Sequence, residues 1–139
     1  MQKRFNSKVD MLFEVILWGT IALPLIFFMV EIPNNALLMI QLVCIPTAAL
    51  MVWARFGTYY TITDSELIYQ SGPFGNKLDI NRIQKVYKTT NDPFNSGGLS
   101  MDKISIKVKK HATVNISPEN KEAFIATLQQ VNPNIEVVE

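Results

Sequence analysis

"DKISIKVKKHATVNISPENKEAFIATLQQVNP", Asp102 to Pro133, reads as strand, turn, strand, helix and stop. Ile104, Ile106 and Val108 alternate with Lys103, Ser105, Lys107 and Lys109. Strict period two is the pattern of a strand with one face on a core and one in water. "KHA" turns the chain into "TVNIS", with Val114 and Ile116 inward. Ser117 fits an N-cap, Pro118 the first helical position, and Glu119 the positive end of the helix dipole. Asn120 stands where a full capping box has Glu or Gln, so the box is incomplete. Phe124, Ile125, Leu128 and Val131 share one face, while Lys121, Glu122, Gln129 and Gln130 are left mainly for solvent. Asn132-Pro133 stops the helix. Such a helix needs a water-soluble core to lie on.

Upstream, the strand pattern continues. "TYYTIT", Thr58 to Thr63, is β-branched and aromatic throughout. "TDSE" reads as a turn, "LIYQSG" as a strand and "GPFGNK", Gly72 to Lys77, as a second turn. "KLDI" and "IQKVYKT" add two more strands. The expected module at residues 57–139 has about six or seven short antiparallel strands closed by one C-terminal helix.

Residues 1–55 are different. Met11 to Val30 is apolar but for Glu14 and the small polar Thr20, and Ala36 to Ala54 carries no formal charge. Each run is about 20 residues, enough to cross a bilayer core as a helix. A soluble core helix of that length would show a polar stripe. "EIPNN" between them is short and turn-rich, so residues 11–56 read as an antiparallel transmembrane hairpin behind a flank at residues 1–10. Lys3, Arg4, Lys8 and Arg55 all fall on one side of it, and the turn holds no Lys or Arg. The positive-inside rule then expects a multi-pass protein of the bacterial cytoplasmic membrane with both termini in the cytoplasm. A cleaved signal peptide fits less well, because the first run is too long and lacks a small-residue cleavage pattern. Pro24 and Pro46 read as tolerated membrane-helix prolines. Glu14 lies within reach of headgroup water, and Gln41 can pair with the other helix or with a copy of itself. A homo-oligomer through the hairpin is thus left open.

"YYTITDSELIYQSGPFGNKLDINRIQKV" and "LSMDKISIKVKKHATVNISPENKEAFIATLQQVNP" together resemble the small bacterial PH-like family of the YyaB type. The resemblance rests on positions such as Tyr60, Leu67, Gly72, Ile83, Ser100, Asp102, Pro118, Phe124 and Asn132, and covers about residues 58–136. It implies an α+β protein: a two-helix hairpin, then a PH-like, partly open β-barrel capped by the C-terminal helix. It implies no activity. A phosphoinositide site of the eukaryotic PH type would need basic residues at the first hairpin turn, and "TDSE" is acidic there.

Chemistry is sparse. The only cysteine, Cys44, lies in the second apolar run, so no internal disulfide or CxxC site exists. The one histidine, His111, reads as an exposed turn residue. No Ser-His-Asp, Cys-His, HExxH, P-loop or GxGxxG pattern occurs, so the expectation is a non-enzyme without cofactor or metal. Residues 56–139 hold nine charges of each sign, which argues against nucleic acid as a partner. Two features remain. Thr89 to Gly98 breaks the strand pattern, and Asn91, Asp92, Pro93, Phe94 and Asn95 are its candidate partner-contact residues, with Phe94 folded back on the core as the plainer reading. Lys103, Lys107, Lys109 and Lys110 are candidate membrane-surface residues, or else the charges that protect an edge strand. The expected function is a membrane-anchored PH-like module binding a protein or peptide, the partner being a membrane or membrane-associated protein. The alternatives are a protective protein against membrane-active peptides and an anionic-lipid sensor.

Overall fold

The computed structural model describes residues 2–30, 34–88, 99–109 and 112–139. In chain order it runs β1 (Lys3–Asn6), α1 (Met11–Phe28), α2 (Asn34–Gly57), β2 (Tyr59–Ile62), β3 (Glu66–Ser71) and β4 (Phe74–Asp79). It continues with β5 (Ile83–Tyr87), β6 (Ile104–Val108), β7 (Thr113–Ile116), α3 (Lys121–Val131) and β8 (Glu136–Val138). The strands make two four-stranded sheets, β1-β2-β3-β4 and β7-β6-β5-β8. All pairings are antiparallel except β5 with β8. The α+β architecture expected from the sequence is present: an apolar two-helix hairpin, sheets of short strands, then a helix over the core.

The period-two reading explains that core. Ile104, Ile106 and Val108 are buried on β6, and Tyr60, Ile62 and Leu67 are buried on the first sheet. Phe124 of α3 enters between them. Its ring meets Phe5 edge-on at 5.2 Å and Tyr60 at 6.1 Å, the geometry aromatic pairs prefer. Burying each such apolar side chain stabilises the fold by roughly 1.5–3 kcal/mol.

Two strands lie outside the sequence expectation. β1, within the segment read as a flank, pairs with β2 and puts Phe5 in the core. Its far edge is then closed: Ser7 bridges Pro118, Lys8 N–H donates to the Ser117 carbonyl at 2.7 Å, and Glu119 N–H to Asn6 at 3.0 Å. This seam joins the two sheets along one side. β8 follows α3 and adds a parallel pairing. The seam also corrects the helix start. Ser117 is used up by it, its N–H donating to the Tyr60 hydroxyl at 3.2 Å. Asn120 caps α3 instead, accepting from Ala123 N–H at 3.0 Å. Gly72-Pro73 alone makes the expected second turn, and β4 begins at Phe74.

Candidate functional site

Both hairpin helices are long and apolar enough to cross a membrane. Their apolar side chains point outward; Leu17 is the only buried residue of α1. The two threonines inside them are met within one turn. Thr20 and Thr47 hydroxyls donate to the Ile16 and Val43 carbonyls at 2.8 and 2.7 Å. The antiparallel hairpin sets Glu14, near the start of α1, beside Arg55, near the end of α2. Arg55 Nε donates to Glu14 Oε1 at 2.6 Å, and Trp18 Nε1 to Glu14 Oε2 at 3.1 Å. Hairpin geometry brings the two together, since an antiparallel turn sets the start of α1 beside the end of α2.

Just before α1 the chain is strapped to the far end of the module. Ser100 Oγ and Met101 N–H both donate to the Asp10 carboxylate at 2.6 Å. These bonds, the Ser100 one first, hold Asp10 below the ordinary carboxylate range. Val9 bridges Leu99. Asp102 accepts from Lys121 and from Lys8, the latter at 2.8 Å, and those partners lower its pKa in the same order. Lys8 is raised by its bond to Asp102. Lys121 Nζ also reaches the carbonyls of Lys88 at 3.1 Å and Lys103 at 3.3 Å. Expected to face solvent, Lys121 instead ties β5 to the start of β6, because three acceptors converge within its reach.

The candidate residues fare unequally. Asn91, Asp92, Pro93, Phe94 and Asn95 lie outside the described residues, as do Lys110 and His111. Lys103 is 7% exposed, Lys107 half-buried and Lys109 exposed. The expected row of solvent-facing lysines is therefore interrupted. Ser105 is also buried, because β6 is an inner strand: Tyr87 and Asn115 flank it, and its hydroxyl donates to Asn115 Oδ1 at 2.7 Å. A cavity of about 610 Å³ at the hairpin base is lined by Arg4, Lys8, Glu14, Arg55 and Glu119. Its cations are already engaged: Arg4 lies 3.9 Å over the Tyr59 ring, Arg55 holds Glu14 and Lys8 holds Asp102. Among the described residues no His, Cys, Asp and Glu cluster could hold a metal.

The open feature is β4. Its inner neighbour is β3 and its outer side has no strand partner among the described residues. Gly72 has φ 56°, and Pro73 cannot take a positive φ, so the turn is of the II′ kind. Such a turn makes Ser71 and Phe74 a hydrogen-bonded pair, and the register alternates from there. Asn76 and Leu78 bond inward to Tyr69 and Leu67. Gly75 and Lys77 therefore aim their N–H and C=O groups outward, and Asp79 its N–H, its carbonyl being taken by the 3-10 turn Ile80–Arg82 that follows. The bond from Ile80 N–H to Ser65 at 2.9 Å keeps the same parity. All of β4 is exposed except half-buried Leu78. Gly72 packs against the last turn of α2, so Phe74, 76% exposed, lies at the level where the hairpin ends.

A protein-family comparison matches residues 58–132 of this chain to the family described as the bacterial PH domain. No curated protein and no solved structure matches it. The match spans β2 through α3 and leaves the hairpin, β1 and β8 outside it.

Proposed function

The chain belongs to the bacterial PH domain family, and from that premise we propose that it is a membrane-anchored interaction module. The hairpin lies in the cytoplasmic membrane of a bacterium and the module in the cytoplasm. The outward-facing apolar surface of α1 and α2 supports the anchor, and Lys3, Arg4, Lys8 and Arg55 at one end of the hairpin support the orientation. A strand of the first sheet precedes α1, so cleavage after α1 would cost the module its β1 edge. That speaks against a removable signal.

The module takes an extended segment of a membrane-associated protein along β4, as an added strand. The observation that carries this is the six-residue edge with three residues aimed outward, while the opposite edge of the same sheet is closed by the Ser7–Pro118 seam. Lys77 lies mid-edge and only 3.8 Å contact to Glu66 restrains it. A single such charge guards an edge against casual pairing while leaving its backbone open.

Proline scanning in the full chain tests the reading. A photoreactive side chain at Phe74 should capture one recurrent protein in cells. Lys77→Pro removes an outward N–H without touching the ladder, so it should abolish capture and leave the module folded. Asn76→Pro breaks an inward bond and should unfold the edge. Capture that survives Lys77→Pro unchanged would sink the strand-addition reading.

A further inference from the structure

We propose that the hairpin pairs with a second copy of itself in the bilayer, through the groove that holds Gln41. This rests on the membrane reading above. The two helices leave an apolar groove of about 340 Å³ whose walls include Thr20, Pro24, Gln41, Cys44 and Ala48. Gln41 is the one long polar side chain of α2 before Arg55, and it lies two turns into the helix. Two turns are about 11 Å, which is inside the hydrocarbon layer. Its amide makes no side-chain hydrogen bond to any described residue. The threonines differ, for both bond back to their own helix.

An unmet amide in hydrocarbon is costly, since no water is there to satisfy it. The choice of occupant follows from the chemistry of that group. A carboxamide both donates and accepts, so two copies of Gln41 satisfy each other without any further residue. A lipid tail offers neither donor nor acceptor. Pro24 adds a second polar edge to the same groove. It has no N–H, so the Thr20 carbonyl loses its helical donor and is available to the incoming amide. Gln41, Cys44 and Ala48 recur at helical spacing on one face, with the small Ala48 and Cys44 permitting close approach of the partner helix.

The chain carries its own reporter. Cys44 is its only cysteine, is partly exposed, and sits one turn from Gln41 on the same groove. Full-length protein in phospholipid vesicles, oxidised by air with copper phenanthroline, should give a disulfide-linked dimer through Cys44. Gln41→Leu should cut the yield by about 3- to 20-fold, the range for one interhelical polar pair, while Gln41→Asn should keep more of it. In a Cys44→Ala background, Ala48→Cys should crosslink and Met39→Cys, on the opposite side of α2, should not. Equal yield with Gln41→Leu, equal yield from position 39, or no dimer from either 44 or 48 would overturn the pairing. Alkaline extraction of the same membranes separates the two levels. Protein that stays in the pellet yet fails to crosslink refutes the pairing alone, whereas protein that washes off refutes the anchor itself.

Discussion

The hairpin and the β module use the same apolar residue types and turn them in opposite directions. In the module, Tyr60, Ile104, Phe124 and Leu128 show no exposed surface. In the hairpin, Leu42 is 67% exposed and its neighbours are similar. Their polar groups differ in the same way. The hairpin meets Thr20 and Thr47 within a turn and Glu14 across one pair with Arg55, and Gln41 is left without a side-chain hydrogen bond to any described residue. The module meets its polar groups with partners far apart in sequence, such as Ser117 with Tyr60 and Asn132 with Ile80. A segment solvated by lipid must satisfy its backbone within itself, while a segment in water must close a core. The threonine and Glu14–Arg55 bonds of the hairpin stay within it, whereas the module stands only when its two ends meet.

The strongest way to break that contrast is a matched pair of truncations. Phe124→Ala should destabilise the module by about 3–5 kcal/mol, because the cavity would fall between Phe5 and Tyr60. Leu42→Ala removes apolar atoms that already face outward and should leave module stability unchanged. Urea unfolding of the full chain in detergent micelles, followed by far-ultraviolet circular dichroism, checks both. A comparable loss from Leu42→Ala would mean that the hairpin surface is part of the folded core.

The joint between the regions is the next target. Gly72 turns β3 into β4 at φ 56° while its backbone touches α2: an added Cβ would lie 3.3 Å from Ala54 Cα. Gly72→Ala meets both constraints at once and should cost about 1–2 kcal/mol. The loss should show as faster amide exchange in β3 and β4 with α1 unchanged. Uniform exchange everywhere would instead make hairpin and module one cooperative unit.

What the sequence made legible follows from range. Period two on Ile104, Ile106 and Val108, and the helical spacing of Phe124, Ile125 and Leu128, are local signals, and both elements formed where they pointed. β1 was missed because "KRFN" reads as the basic flank of a membrane helix and its partner, β2, lies beyond the whole hairpin. Three-residue β8 has too little pattern to see. The choice between Ser117 and Asn120 as cap was open to either residue type. It was decided by Ser7 and Tyr60, more than fifty residues away in sequence. The candidate site divides likewise. Gln41 stands out locally as a polar residue in an apolar run, but the β4 edge needs strand order, and the burial of Lys103 needs the packing around β6.

The smallest effect expected is acid sensitivity of the strap that links the regions. Asp10 and Asp102 both have folded pKa values below the ordinary 3.8, through Ser100 and Met101 for the first and Lys121 and Lys8 for the second. A carboxylate lowered by folding binds fewer protons in the folded state than in the unfolded one. Its contribution is therefore complete above pH 3.8 and is lost as pH falls below that, through the lower folded value. Asp10→Asn keeps an oxygen to accept from Ser100 but cannot titrate. It should lower stability slightly near neutral pH and flatten the decline on acidification, measured as urea midpoints from about pH 7 to about pH 3. The hairpin should keep its helix signal through the same range, since its helical hydrogen bonds do not depend on the strap. An Asp10→Asn profile as steep as the native one would assign the acid response to Asp102 and leave the link between hairpin and module to the Val9–Leu99 bridge and the Gly72 contact.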